Sequence, residues 1–274
     1  MPLIPYLCTN CGYWRRLPSA PADCPVCLDH RHVAPEDGWA FLTEDEVAAR
    51  ATTTWTEVET GRWRFDSSER FHIGPSGYLV EHPEGNVVFE APNWLSDDAL
   101  DFMAELGGVA VATASHPHVY GALHRVVDRF DPEVPLHVAD EPWAVAFAPT
   151  RPYDDHLEVA DGLTLHCTAG HFDGHQVLHD AERGILFCGD ALKLDLDPED
   201  PRRAIGISTH KAFVRQVPLS PAELRRYREV FAPLDYEQTW TPFEQGANVG
   251  PEAALALLDE LLERGTHARP VAVA

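Results

Sequence analysis

The first thirty residues place the strongest constraint on folding, because four of the chain's six cysteines lie there. Cys8, Cys11, Cys24 and Cys27 form two Cys-x-x-Cys pairs separated by twelve residues. We expect no secretory signal before them and a cytoplasmic, reducing location, so this spacing predicts a metal site rather than disulfides. Four thiolates at the corners of a tetrahedron suit Zn²⁺ or a single iron. So small a unit buries little apolar surface, and we expect the metal to serve as its core.

The residues around the cysteines indicate which kinds of small metal-binding module this segment resembles. The segments 6–13 (YLCTNCGY) and 24–27 (CPVC) resemble the two knuckles of rubredoxin-type modules, and the short spacing resembles the rubredoxin-like tail of rubrerythrins. That resemblance covers about 33 residues and implies one redox-active iron. Zinc ribbons share the same spacing, so both an electron-donating iron module and a structural zinc clip stay open.

Charge and length restrict the classes of partner and architecture. With 44 acidic against 21 basic residues in 274, the formal net charge is -23, which argues against nucleic acid and anionic membrane surfaces. No run of apolar residues is long enough to span a bilayer. At 45% hydrophobic residues, the chain can bury one large core with a small appendage. We therefore expect a small-molecule substrate, with a redox partner as a further possibility.

The pattern along the chain predicts three parts: a cysteine module over residues 1–35, an acidic linker over 36–62 and a large domain over 63–270. Thr43 and Glu46 have the spacing of a capping box for a short helix inside the linker. In the large domain, strands and amphipathic helices are interspersed, which indicates a layered α/β fold. The predicted strands are 77–80, 86–90, 109–114, 136–139, 163–167, 176–179 and 184–188, and the predicted helices are 96–106, 120–130, 220–233 and 252–264.

Metal-binding side chains follow three of these predicted strands. His116 and His118 come directly after the buried strand 109–114, His171 lies on a glycine-flanked turn after the strand 163–167, and Asp190 follows the strand 184–188. A single histidine is usually a structural residue, but three histidines and a carboxylate at three strand ends point to one metal. The sequence therefore predicts a mononuclear site with open coordination positions.

These segments resemble the metallo-β-lactamase fold superfamily from about Phe71 to Trp240. The resemblance implies an αββα sandwich in which His116, His118, His171 and Asp190 occupy metal-ligand positions. This chain also departs from the pattern of the superfamily at four positions. Tyr120 and Gly121 replace the Asp and His of the first motif, Glu90 stands where an Asp usually ends an early strand, and Trp240 stands where the last histidine is expected. The ligands of a second metal are thus missing, which argues against a two-metal phosphodiesterase or nuclease.

The resulting functional prediction is a metalloenzyme with one zinc or iron at the histidine and aspartate residues and one at the cysteines. We favour a hydrolase that acts on a small ester, thioester or lactone through metal-activated water. An iron oxidoreductase similar to the persulfide dioxygenase branch of the superfamily, supplied with electrons by the cysteine module, is the closest alternative. A non-catalytic scaffold for metal binding or electron transfer is a third.

Several further residues are candidates for supporting roles. Asp190, His175 and Tyr120 are the predicted catalytic residues. We expect His175, with Asp173, to orient ligands or transfer protons. We expect Tyr120 to line the pocket where the second metal would have been. His72, His124 and His210 are considered as replacement ligands. Cys167 and Cys188 are expected to be buried small apolar side chains.

Overall fold

The computed structural model describes residues 2–69, 71, 73–209, 219–265 and 271–273, and the chain forms two compact units, Met1–Pro152 and Tyr153–Ala274. The candidate ligands His72 and His210 lie outside the described residues. Within those residues, no helix has the length and apolar character that crossing a membrane requires.

In its described residues, the first unit contains a three-stranded and a five-stranded sheet with four α-helices, and a two-stranded sheet lies at its end. Its strands are β1 (Ile4–Cys8), β2 (Trp14–Leu17), β3 (Phe41–Thr43), β4 (Thr53–Glu59), β5 (Arg62–Ser67), β6 (Gly77–Val80), β7 (Val87–Phe89), β8 (Val111–Thr113) and β9 (Pro135–His137), and β10 (Arg151–Tyr153) begins in it. Its helices are α1 (Pro25–Leu28), α2 (Glu44–Ala48), α3 (Asp97–Glu105) and α4 (Leu123–Phe130). The sheet orders are β2-β1-β3, β4-β5-β6-β7-β8 and β9-β10, and in the described residues of the first two sheets only the β7–β8 pair is parallel.

The cysteine-bearing segment packs on the rest of the first unit. Trp14 on β2 is 1% exposed, its indole N–H donates to the carbonyl of Asn93 at 2.9 Å, and its ring lies 6.2 Å from that of Trp94. The cysteines and these aromatic side chains belong to one hydrophobic cluster. Apolar burial against the neighbouring structure therefore supplements the metal core that the sequence predicts for this segment.

Regular structure also runs through the stretch predicted as a linker. β3 pairs with β1 at Leu42 and Leu7, and β4 pairs with β5. The predicted capping box is confirmed, because Thr43 Oγ1 accepts from the Glu46 N–H and Glu46 accepts from the Thr43 N–H. The three-part division at residues 35 and 62 stays a prediction.

Most predicted elements of the first unit are confirmed, with one shifted start. The segment 120–130 is helical only from Leu123, because Pro117–Val119 forms a 3₁₀ turn and Gly121 has a left-handed backbone at φ 43°. The chain can therefore turn sharply after His118 before α4 begins.

Where the structure describes it, the second unit contains a six-stranded and a three-stranded sheet with two long helices. Its strands are β11 (His156–Ala160), β12 (Leu163–Cys167), β13 (Gln176–Asp180), β14 (Ile185–Phe187), β15 (Lys193–Leu196), β16 (Ala204–Ser208), β17 (Gln238–Trp240), β18 (Gln245–Gly246) and β19 (Val271–Ala272), and its helices are α5 (Pro221–Phe231) and α6 (Pro251–Arg264). The sheet orders are β11-β12-β13-β14-β17-β18 and β15-β16-β19. All pairs are antiparallel except β14–β17, where Phe187 lies opposite Trp240.

Helices α5 and α6 cover the core of the second unit. Ser220 and Glu223 form the predicted capping box at the start of α5. Leu224, Tyr227 and Phe231 then face the cluster that also holds Leu257 and Leu261 of α6. This spacing of three, four and four residues places the apolar side chains of each helix on one face.

Candidate metal centres

The four clustered cysteines have the arrangement that a tetrahedral metal site requires. Each is at most 1% exposed, with Cys8 Sγ 3.6 Å from Cys27 Sγ and Cys11 Sγ 3.7 Å from Cys24 Sγ. A metal with bonds of about 2.3 Å to four tetrahedral sulfurs separates neighbouring sulfurs by about 3.8 Å. Disulfide sulfurs would instead lie about 2 Å apart. The thiols therefore fit a metal such as zinc or iron.

Two short turns hold these sulfurs in place. After β1, the Gly12 N–H donates to the Cys8 carbonyl at 2.8 Å, and Gly12 has a left-handed φ of 79°, which suits glycine. The second pair brackets the start of α1, where the Leu28 N–H donates to the Cys24 carbonyl at 3.0 Å. Each Cys-x-x-Cys pair thus turns its two sulfurs to the same side.

Hydrogen bonds within the cluster shift the pKa values of its cysteines in opposite directions. Bonds from the thiols of Cys11, Cys24 and Cys8 hold the pKa of Cys27 well below its usual range. The Asn10 amide donates to Cys27 Sγ at 3.3 Å and acts in the same direction. The bond with Cys24 raises the pKa of Cys11, because adjacent thiols do not ionise together without a compensating charge. A bound cation supplies that charge.

His116 and His118 follow β8 and are buried, with exposures of 0% and 6%. His116 Nδ1 lies 2.9 Å from Ser115 Oγ, and the Ser115 hydroxyl donates to the Glu90 carboxylate. Because that hydroxyl proton goes to Glu90, the serine oxygen accepts the Nδ1 proton of His116. The ring is thereby fixed as the tautomer whose Nε2 carries the lone pair that a metal needs.

Glu90 supports His116 through Ser115, whereas the sequence showed only that Glu90 replaces the family's usual Asp. The side chain is 1% exposed, and the residue is held at a left-handed φ of 66° while its N–H donates to the Thr113 carbonyl at 2.8 Å. This backbone brings a buried carboxylate to Ser115. The sequence analysis did not identify Ser115. Its position directly before the candidate ligand His116 was the signal that could have indicated a hydroxyl partner for that ring.

The positions of the missing second-metal ligands are closed by packing. A Cβ on Gly121 would lie 2.2 Å from the Ala91 carbonyl oxygen and 2.4 Å from that of Pro92, so this backbone has no room for a histidine. The Tyr120 hydroxyl donates to the Asp140 carbonyl at 3.4 Å, and its buried ring lies 5.4 Å from that of Phe147. Tyr120 is therefore held as a packed aromatic with a bonded hydroxyl.

In the second unit, His171 and Asp190 form a close buried pair. His171 lies on the turn after β12, where Ala169 and Gly170 have left-handed φ values of 53° and 84°, and Asp190 lies on the 3₁₀ turn Gly189–Ala191 after β14. The distance from His171 Nε2 to Asp190 Oδ2 is 3.4 Å. Two tetrahedral ligands with bonds of about 2.1 Å lie about 3.4 Å apart. The pair thus fits two positions around one metal.

His175 is oriented from the same turn. It is fully buried, its Nδ1 lies 2.6 Å from Thr168 Oγ1, and its carbonyl accepts from the Thr168 N–H at 2.8 Å. Its ring centroid lies 6.1 Å from that of His171, whereas Asp173 is exposed to solvent. Sequence reasoning identified His175 but missed Thr168, which fixes its ring.

Helix α5 supports the turn that carries His171. A Cβ on Gly170 would lie 2.9 Å from the Tyr227 hydroxyl, so the helix approaches the turn at a glycine. Burial raises the pKa of Tyr227 well above its usual range, which keeps the phenol protonated. In the sequence, Tyr227 falls within the predicted helix 220–233 and was assigned no role.

The remaining candidates occupy packing positions. Trp240 is 1% exposed, lies beside Phe187, and has the Arg202 guanidinium 5.4 Å from its ring. His124 is fully buried on α4 with its ring 4.8 Å from that of Trp14, and desolvation lowers its pKa. Cys167 and Cys188 are buried, as predicted.

Within the described part of the chain, the four-cysteine cluster could hold a metal. His116 and His118 in the first unit, and the pair His171 and Asp190 in the second, are further candidate ligands. These are the metal-ligand candidates that the sequence predicts.

Comparisons with solved structures establish the fold. The chain is similar to the metallo-β-lactamase FIM-1 from Pseudomonas aeruginosa in its mono-zinc form, at 15% identity and a TM-score of 0.56 over 79% of this chain and 97% of that one. It is also similar to a metallo-β-lactamase from Hirschia baltica, at 13% identity and a TM-score of 0.52 over 76% and 96%. These likenesses confirm the predicted metallo-β-lactamase-like α/β fold.

A likeness in sequence covers most of the chain. The uncharacterized protein YmaE of Bacillus subtilis (strain 168) is 24% identical over 254 residues, which span 88% of this chain and 89% of the relative. No protein-family model matches the chain.

Proposed function

We propose that the chain is a hydrolase with one metal ion bound by His116, His118, His171 and Asp190, acting on a small ester, thioester or lactone. The observation that carries the proposal is the packing at Gly121, where the carbonyl oxygens of Ala91 and Pro92 leave no space for a second-metal histidine. The mono-zinc form of FIM-1, a protein of the same fold, supports a single-metal arrangement.

The chain's own residues supply orientation and proton transfer. A metal bound to the four ligands would supply a Lewis acid that lowers the pKa of water. Ser115 and Glu90 fix His116 in its metal-binding tautomer. The Thr168 hydroxyl, which lies 2.6 Å from His175 Nδ1, orients the ring, and His175 Nε2 is the atom proposed to accept a proton during hydrolysis. We propose that Tyr120 borders the substrate where a second metal would otherwise lie.

Metal analysis of the His171→Ala variant tests the assignment. We expect the variant to lose about one equivalent of metal and to keep the metal at the cysteines, because His171 Nε2 and Asp190 are a close ligand pair. His156→Ala is the matched control, since His156 belongs to the same unit and its side chain is 67% exposed. An unchanged total metal content in His171→Ala would contradict the proposal.

A second candidate function, iron-dependent oxidation, is favoured by one observation. The four-cysteine cluster belongs to the same unit as His116 and His118, and His32 from the cysteine segment lies 5.5 Å from His118 between ring centroids. Under this alternative, protein purified without oxygen carries iron at the cysteines and absorbs visible light that bleaches with a reductant. Colourless, zinc-only protein would exclude it.

An activity screen separates the enzymatic proposals from a scaffold. Hydrolysis of thioesters or lactones that is lost in His171→Ala supports the hydrolase. Consumption of persulfides together with oxygen supports the iron-dependent oxidoreductase. If none of these classes reacts while both metals are bound, the non-catalytic scaffold is favoured.

A further inference from the structure

We propose that His32 is a positioning residue through which the four-cysteine site controls metal binding at the histidine site. This inference rests on the proposed function, because it takes His118 as a metal ligand. The sequence marked His32 for no role. The structure places its ring 5.5 Å from that of His118 in an edge-to-face arrangement, while His116 lies 5.2 Å from His118 in a similar arrangement. His118 is thus contacted edge-to-face by two imidazoles.

A continuous set of bonds ties His32 to the sulfur cluster. The Asn10 amide nitrogen donates one proton to Cys27 Sγ at 3.3 Å and the other to the Val33 carbonyl at 2.9 Å. An amide NH₂ has two donors, so one side chain can hold both groups together. The cysteine sulfur and the segment that carries His32 are therefore fastened to the same amide.

The peptide between Cys27 and His32 is a short folded connection. The Asp29 N–H caps α1 by donating to the Pro25 carbonyl at 3.1 Å, and the His32 N–H donates to the Asp29 carbonyl at 3.0 Å. Displacement of the helix that bears Cys27 would move His32 with it. Metal at the cysteines fixes this helix, because both ends of its first turn, Cys24 and Cys27, provide ligands.

The His32 ring is held against its own peptide. The Val33 N–H donates to His32 Nδ1 at 2.8 Å, and the Val33 carbonyl oxygen lies 3.0 Å from the same nitrogen. The local peptide therefore restricts the ring that contacts His118. Hydrogen-bonding partners that orient ligand rings change metal affinity by about 10- to 100-fold, and we expect the ring contact of His32 to act in the same direction.

Cobalt titration tests the proposal by a readout other than activity. Protein with zinc at the cysteines, and with the histidine site emptied by a mild chelator, is titrated with Co²⁺ while its ligand-field absorption is recorded. In His32→Ala we expect about tenfold weaker Co²⁺ binding and a shifted spectrum, because His118 loses one restraint. His32→Phe should restore most of the affinity, because phenylalanine keeps an edge-to-face ring. His30→Ala is the matched control, since His30 is two residues away with a side chain that is 67% exposed.

A second variant tests the link to the cysteines. Asn10→Ala should weaken Co²⁺ binding at the histidine site by a similar factor while zinc stays at the cysteines, because the variant keeps all four thiols. Wild-type affinity and spectrum in His32→Ala would overturn the proposal, and wild-type values in Asn10→Ala would overturn its link to the cysteine site. If the wild-type protein itself binds no Co²⁺ beyond the cysteine site, the proposed function fails first, and this inference fails with it.

Discussion

The four-cysteine cluster and the histidine pair His116 and His118 belong to the same unit but are held in different ways. The four sulfurs come from twenty consecutive residues and are set by two short turns. The tautomer of His116 depends instead on Ser115 and on Glu90, which lies 25 residues before Ser115 and reaches it through the pairing of β7 with β8. A local spacing can therefore define a metal site, whereas a site at strand ends needs partners that only the sheet provides.

The largest effect should come from breaking the local site. We expect Cys24→Ala to lose the cysteine-bound metal and to lower the free energy of unfolding by about 3 kcal/mol or more, because three thiols no longer close a tetrahedron. Metal analysis and denaturant unfolding measure both. Cys167→Ala, a buried cysteine outside the cluster, should keep all bound metal. Equal metal loss in the two variants would refute the local character of the site.

Gly121→His tests whether packing forbids the second metal. The new side chain would meet the carbonyls of Ala91 and Pro92 at a left-handed residue, so we expect destabilisation of about 3 kcal/mol and no gain of metal. Thermal unfolding and metal content check this. If Gly121→His were stable and bound one additional equivalent of metal, packing at Gly121 would not be what prevents binding of a second metal.

Glu90→Gln addresses the long-range partner of the strand-end site. Replacing the buried carboxylate by an amide weakens the bond from Ser115, and we expect about tenfold lower metal affinity at the histidine site with the cysteine site unaffected. Competition with a chelator measures the affinities. Glu84→Gln, an exposed change in the turn before β7, should behave as wild type. Loss of metal from the cysteines instead would contradict the assignment of Glu90 to the histidine site.

The smallest effect is expected for a helix cap next to the cysteine segment. Thr43→Ala removes the side chain that accepts from the Glu46 N–H, so the free energy of unfolding should fall by about 1 kcal/mol. Ser220→Ala removes the equivalent cap of α5 in the second unit and should cost a similar amount. Denaturant unfolding compares them, and both variants should retain full metal content. Metal loss in Thr43→Ala would show that the cysteine site depends on more than its own turns.

What the sequence determined by itself was local. The cysteine spacing, the capping boxes at Thr43 and Ser220, and the strand 163–167 are properties of residues close together in the chain, where turn chemistry and periodicity suffice. The metal-ligand candidates were recognised because ligands at strand ends form short motifs.

Only the tertiary structure decided which residues support those ligands. Glu90 reaches Ser115, His32 lies beside His118 and Tyr227 approaches Gly170, and each contact joins residues more than twenty positions apart. Likewise, the reason that Gly121 admits no ligand lies in two carbonyls near 91 and 92. Such contacts depend on how sheets and helices pack, and packing is a property of the folded chain that no short motif carries.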